Sequence, residues 1–402
     1  MTDGSTEGHD YVVVGGGIYG CGVAWELAKR GADVLLLESG TIAGGASGGT
    51  GKRGIRANGR DPREFPLMSM AYEMWPGLEG ELGAPTGYVR TGHLLLIERE
   101  VGRPSGGYTS ASSRMWLQQQ NGIPTELLDR GRLKDMEPGV GDGVINALHC
   151  AEDGVADHGA TTRGLARAAE RMGAEVREQT AAVGLERDGE RVVAVVTADG
   201  QRIGVNDTLM LLSNTHVPGF VEEQLDVILP VWSILPQVVF TKPVAPTPIR
   251  HLIGHDHRPL TMKAIPDGRV MVTGGWRGRW NPETHRGETV PADVEANLGE
   301  AASVFPSLEG VAIDKSDASR PESTCIDGIP IIDRLPGAKN MLVGTGWSGH
   351  GFAISIAVNR LLADWACSGE KPALLRTFSY ERFFSKLDGS GVRRRNVPKR
   401  ES

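Results

Sequence analysis

YVVVGGGIYGCGVAWELAKRGADVLLLE, residues 11–38, is the stretch whose reading decides the fold. Tyr11 to Val14 is a short apolar run of the kind buried in a parallel sheet. It runs into Gly15, Gly16 and Gly17 and then Gly20, a G-x-G-x-x-G loop. A helix is expected next, opened by Ile18 and Tyr19, with Val23 and Leu27 on its apolar face and Gly31 as its stop. Asp33 to Leu37 reads as a second strand, and it ends in Glu38. The spacing has a mechanical reason. Gly15 permits the tight turn, Gly17 lets a pyrophosphate approach the backbone, and Gly20 lets helix and strand pack closely, while the helix N-terminus turns free N–H groups on the phosphates. Glu38 is placed to accept hydrogen bonds from a ribose, and its charge repels a 2′-phosphate. That leaves NAD or FAD.

The rest of the composition bounds the alternatives. A chain of 402 residues buries a substantial core and is expected to form two domains. Its net charge of −7 makes nucleic acid an unexpected partner, and the basic tail RRRNVPKRES reads as a solvated terminus. Cys21, Cys150, Cys325 and Cys367 form no CxxC pair, which fits a reducing compartment and predicts neither a metal site nor a disulfide framework. The apolar run after the acidic start is too short for a signal peptide or membrane span, so no membrane partner and a cytoplasmic location are expected.

A second glycine loop lies at the other end. MLVGTGWSGHGFAISIAVNRLLADW, from Met341, reads as strand, then Gly344, Gly346, Gly349 and Gly351, then a helix burying Ile354, Ala357, Val358 and Leu361. Its positive helix end suits a flavin ring, which gains negative charge on reduction. His350 either contacts that ring or caps the helix.

With these ends in place, the chain resembles the FAD-dependent D-amino-acid oxidase (DAO) superfamily, which includes glycine, sarcosine and gamma-glutamylputrescine oxidases. The resemblance rests on GGGIYGCGVAWELAKRGADVLLLE, GGASGGTGKRGIR from Gly44, DHGATTRGLARAAERMGAEV from Asp157, RPESTCIDGIPIID and the GTGWSGHGF loop, in that order. It implies an α/β fold: a Rossmann-type FAD domain (1–84, 151–216, 324–385) interleaved with an α+β substrate domain built on a mainly antiparallel sheet (85–150, 217–323), then a tail, 386–402. Residues 182–205 alternate around DG turns as hairpins. Residues 102–113, rich in Gly and Ser, read as a mobile loop.

The resemblance also implies site residues. FAD would lie against Gly15, Gly17, Ile18, Tyr19, Gly20, Glu38 and Ser39. Gly45, Ala46, Ser47, Gly51, Lys52, Arg53 and Gly54 would wrap the isoalloxazine, where only small residues allow close approach. Val183 would pair its backbone with the adenine, and Gly346, Trp347, Ser348, Gly349, His350, Gly351 and Phe352 would complete the cradle. Arg320 resembles the arginine that grips substrate carboxylate in glycine and D-amino-acid oxidases, although extra residues separate it from Asp327. A structural ion pair at the domain boundary is its alternative. Arg53 and Arg56 resemble sarcosine-oxidase arginines that contact flavin and substrate.

Trp276 would wall the substrate side of the flavin. Lys263 would help oxygen accept electrons, or else be a solvated strand-edge lysine. His251, His255 and His257 only superficially resemble a metal cluster. The covalent attachment positions of sarcosine oxidases hold neither Cys nor His here, so non-covalent FAD is expected. Ala353 replaces the lysine that follows GHGF in those enzymes, and LLSNTHVPGF departs from their AAG-x-W. The expected activity is oxidation of the C–N bond of an amino acid or amine to an imine, by an oxidase or dehydrogenase, with O2 (yielding H2O2) or another acceptor. The alternatives are a hydroxy-acid oxidoreductase and a non-catalytic FAD-binding subunit.

Overall fold

The computed structural model describes residues 7–48, 51–99 and 110–384. The basic tail and residues 102–109 of the Gly/Ser stretch lie outside them. Parallel strands Gly8–Val14, Val34–Leu37, Glu175–Arg177, Arg202–Leu211 and Met341–Thr345 form the body of an eight-stranded sheet. Ile331–Arg334 closes one edge antiparallel. Ala182–Asp188 and Arg191–Thr197 fold as an antiparallel meander against Arg202–Leu211.

The apolar runs need cover on both faces, because successive side chains alternate. Val13, Leu36, Met210 and Leu342 point to helices Ile18–Ala28, His158–Arg171 and Gly351–Ser368. Val12, Leu35, Leu209 and Val343 point the other way, to the meander and helix Val217–Leu225. The first helix packs on the last at one tight point: a Cβ on Gly22 would lie 1.8 Å from Asn359 Nδ2, which donates to Ile18 O at 3.1 Å. Val14 pairs with Leu37 and Leu211, and Leu211 with Val343, so four strands end along one edge. Both glycine loops leave from that edge, where open α/β sheets hold their ligands.

The second eight-stranded sheet is antiparallel except where Leu252–His255 runs parallel to His93–Ile97. Helix Pro291–Val304 covers one face, against Val239, Ile253, Met262 and Val272. In strand Thr261–Ala264, alternation that buries Met262 in this core sends Lys263 out of the opposite face. Lys263 is not a solvated edge lysine: its strand is paired on both sides and only 5% of the residue is exposed.

One local reading is corrected. The Gly/Ser stretch ends earlier than its composition suggests, because Ser110 caps helix Ala111–Gln120 by accepting from Ser113 N at 3.1 Å. Serine is both a loop residue and a preferred N-cap, and composition alone does not separate the two. Among the described residues, no helix is long and apolar enough to cross a membrane.

Candidate active site

The first glycine loop has the form that its spacing predicts. Gly15 has φ +115°, and a Cβ there would lie 2.8 Å from Leu212 O. A Cβ on Gly20 would lie 1.8 Å from Gly15 O, so only glycine lets the helix start this close to the strand. Gly17 differs: it N-caps helix Ile18–Ala28, and a Cβ there meets nothing within 4 Å. That open backbone lies where phosphates would bind. Glu38 accepts from Gly16 N at 2.6 Å and Gly40 N at 2.7 Å, which braces the loop, and Ser39 beside it is exposed.

Glu38→Gln therefore puts an NH2 group where an oxygen now accepts. We expect FAD affinity to fall about tenfold or more, since hydrogen bonds to a charged acceptor are each worth about 1.5–3 kcal/mol. Titration of the apoprotein with FAD, followed by flavin fluorescence, checks this, and unchanged affinity would remove Glu38 from the cofactor site.

The second loop is pinned to the first. Tyr19 stacks on Trp347 at 3.6 Å between ring centroids, and its hydroxyl donates to Gly351 O at 2.5 Å. Ser323 in strand Glu322–Cys325 accepts from Gly346 N at 2.9 Å and Trp347 N at 3.3 Å. The same strand's Glu322 is buried and accepts from Ser47 Oγ, tying in the Gly44–Gly54 segment. Burial raises the Glu322 carboxyl above its ordinary range. The RPESTC segment is thus stitched between two loops, a role for Glu322 and Ser323 that no sequence motif signals. Gly45 and Gly349 leave open space where a Cβ would stand, as does Gly51. Phe352 packs edge-on against Trp75 and His158. Val183 is exposed on the first strand of the meander.

Strand Lys52–Ile55 pairs antiparallel with Gly154–Asp157; it holds Arg53 and ends just before Arg56, and both arginines are partly buried. Arg53 donates to Ser47 O at 3.0 Å and Arg56 to Asn58 O at 2.6 Å. Their turn hangs on Asp153, which is fully buried and accepts from Tyr72 OH at 2.5 Å, Ala57 N at 2.7 Å and Asn58 N at 3.1 Å. Burial lifts the Asp153 carboxyl to about 6, against the pull of these donors. Asp153→Ala should orphan three buried donors and cost on the order of 3 kcal/mol or more, read as a lower urea midpoint. Asp153→Asn should cost less, because one oxygen remains.

Four cations follow one another, Lys263 buried and Arg53, Arg56 and Arg60 partly buried. Burial, then the charges of Arg53 and Arg56, hold the Lys263 ammonium down at about 7, and Lys263 makes no hydrogen bond or ion pair among the described residues. Burial also lowers Arg53 to about 10 and depresses Arg56. Burial and neighbouring Arg56 bring Arg60 to about 9. His350, next in this sequence, is held at about 4 by burial and then Arg60. It caps no backbone with its side chain; its Nδ1 lies 3.5 Å from buried Glu64. This cationic wall suits an anionic substrate or a ring that gains negative charge.

Other expected residues make fewer contacts. Arg320 is exposed and forms no ion pair among the described residues, so the structural ion pair offered as its alternative is absent there. Trp276 is half-buried, and its indole N–H is buried without a hydrogen-bond partner among the described residues. The three histidines do not converge: His251 Nδ1 is 2.7 Å from Glu137, while His255 Nδ1 accepts from His257 N at 3.0 Å. The group of three possible metal ligands among the described residues is instead Glu7, His9 and Glu175, and Arg177 donates to both carboxylates at 2.6 Å.

Open backbone at the strand ends, a braced acid after the second strand and a cationic wall together fit FAD. Residues 10–365 match the family described as FAD dependent oxidoreductase (DAO). The chain is 26% identical over 387 residues to sarcosine oxidase subunit beta of Rhizobium meliloti (strain 1021), covering 93% of this chain and 88% of that protein. It is 26% identical over 386 residues to glycine oxidase of Bacillus licheniformis, covering 93% and 97%. In fold it is similar to L-proline dehydrogenase from P. horikoshii, with a TM-score of 0.82, 23% identity and coverage of 94% and 98%. The chain belongs to the DAO family of FAD-dependent oxidoreductases.

Proposed function

We propose that this enzyme oxidises the C–N bond of an amino acid or amine to an imine, which water then hydrolyses. The observation that carries this reading is the cationic wall of buried Lys263 and the partly buried Arg53, Arg56 and Arg60 beside the glycine loops. FAD supplies the acceptor for the hydride that leaves the substrate carbon. The protein supplies position and charge. Arg320 grips the substrate carboxylate with two parallel bonds, Trp276 excludes water, and Lys263 offers its charge to O2 as the final acceptor. Relatives named for glycine, sarcosine and L-proline suggest the first substrates to try.

Anaerobic bleaching of the yellow enzyme tests the proposal. Glycine, sarcosine or L-proline should bleach it, and the matching hydroxy acids should not. Bleaching by the hydroxy acids alone would favour C–O oxidation, and bleaching by neither class a binding subunit.

FAD is held without a covalent bond in this reading. Cys325 is buried with its thiol directed at Asp327, at 3.3 Å, and burial raises that thiol to about 11. Acid precipitation should leave the flavin in the supernatant, and colour in the washed pellet would overturn the expectation.

A further inference from the structure

We propose that Glu64 holds His350 as its Nδ1–H tautomer, so that Nε2 accepts a hydrogen bond from the N–H of the substrate amine. The inference rests on the C–N reading above and adds a selection rule: primary and secondary amines are held, and tertiary amines are not.

Glu64 is the starting point. It ends the turn Pro62–Glu64, just before helix Phe65–Leu82, and is only 1% exposed. Neither carboxylate oxygen has a hydrogen-bond partner among the described residues. A buried carboxylate costs several kcal/mol unless it is paired. Arg56 and Arg60 act on it through charge, but the group within ion-pair distance is His350 Nδ1, at 3.5 Å. Nδ1 is itself buried and otherwise unpartnered among the described residues. Two orphaned atoms facing each other account for one another if a proton lies between them. A lone pair on Nδ1 would repel the carboxylate, so the proton belongs on Nδ1.

The protonation state then decides what the other edge of the ring can do. Burial and Arg60 keep His350 well below its ordinary range, at about 4, so the ring carries one proton at neutral pH. With that proton on Nδ1, Nε2 has only a lone pair. The side chain is 30% exposed although Nδ1 is buried, so the exposed edge is the one that carries Nε2. It opens at the start of helix Gly351–Ser368, beside Trp347 and Phe352 of the second glycine loop. A molecule bound there must donate. A substrate carboxylate has no proton to give, whereas an amine N–H does. The Arg60 and Arg56 charges that act on His350 disfavour an ammonium, so the neutral amine that hydride loss requires is the form selected. Glu64 is a positioning residue, acting through His350.

The test has two arms. In the FAD-loaded enzyme labelled with 15N-histidine, two-bond 15N–1H spectra at pH 7, with His350 assigned by loss in His350→Gln, should show a protonated Nδ1 and a bare Nε2. Glu64→Gln, whose amide oxygen still accepts, should keep that tautomer, and Glu64→Ala should lose it. A proton on Nε2 in the wild-type enzyme overturns the proposal without need of any variant. In the second arm, a secondary N-methyl amino acid should bleach the enzyme with a kcat/KM about tenfold above its N,N-dimethyl counterpart, the worth of roughly one hydrogen bond. Glu64→Ala should narrow that ratio. Equal rates for the two amines in the wild type overturn the proposal even where the tautomer stands. If no amine bleaches the flavin, the C–N reading itself fails, while the spectra still judge the Glu64–His350 pair.

Discussion

Arg320→Lys should lower kcat/KM for an amino acid by about a hundredfold while FAD stays bound. Hydride transfer depends on holding one C–H over its acceptor, and a misplacement of about 1 Å costs on the order of a hundredfold. Lysine keeps the charge but loses the planar fork that fixes a carboxylate in two directions. Arg320 is exposed and makes no side-chain hydrogen bond or ion pair among the described residues, so the substitution removes none of these. The control is the decarboxylated amine, which never used the anchor and should be slowed far less. Equal slowing of acid and amine would show that Arg320 is not the carboxylate anchor, and an amine lacking an alpha-carboxylate would become the favoured substrate.

Lys263→Met should slow the return of yellow colour in aerated buffer by about 10²–10³-fold, the range for removing one preorganised charge from a water-poor site. Oxygen gains negative charge as it is reduced, and a desolvated ammonium without a carboxylate partner stabilises that charge far more than a solvated one. The direction with pH follows from the depressed value. Below about 7 the amine is charged; above it the amine is neutral. Reoxidation that relies on the cation therefore falls as pH rises through about 7, and the Met variant should be flat across that window. Stopped-flow mixing of bleached enzyme with oxygenated buffer at pH 5.5 to 8.5 measures both. A wild-type rate that does not fall over this range would remove Lys263 from the oxygen step.

Much of this architecture was legible in the chain. The run from Tyr11 to Glu38 specifies a strand, a tight turn, a helix and a second strand through local chemistry alone. Gly20 is required by its contact with Gly15 O inside the motif and Gly15 by the positive φ of the turn, while Val12 and Val13 must be buried on opposite faces of a covered sheet. The second loop reads the same way, since strand, glycines and helix are consecutive. Arg53 and Arg56 stand out in the chain only because GKRGIRANGR resembles the sarcosine-oxidase loop whose arginines contact flavin and substrate.

Other parts of the site depend on contacts between distant segments. Asp153 lies nearly a hundred residues from Ala57, whose N–H it accepts, and nothing near either residue marks the pair. Glu322 reaches Ser47 and Ser323 reaches Gly346 only because strand Glu322–Cys325 passes between two loops. Asp327 holds both Arg63 and Arg382; against burial, Arg382 and Arg63 bring its carboxyl down to about 2 and tie the arginine turn to the last described segment. Lys263 reads two ways in the chain; strand alternation, with Met262 in the core, buries it on the opposite face within reach of the charges of Arg53 and Arg56. The sequence by itself determined the dinucleotide-type loop, the strand, helix and second strand around it and the residue types at the strand ends, because each follows from neighbours a few positions away. Which cations are desolvated, which acid braces which loop, and which nitrogen of His350 faces Glu64 were decided by the tertiary structure, since burial and charge act through space between residues that the chain keeps far apart.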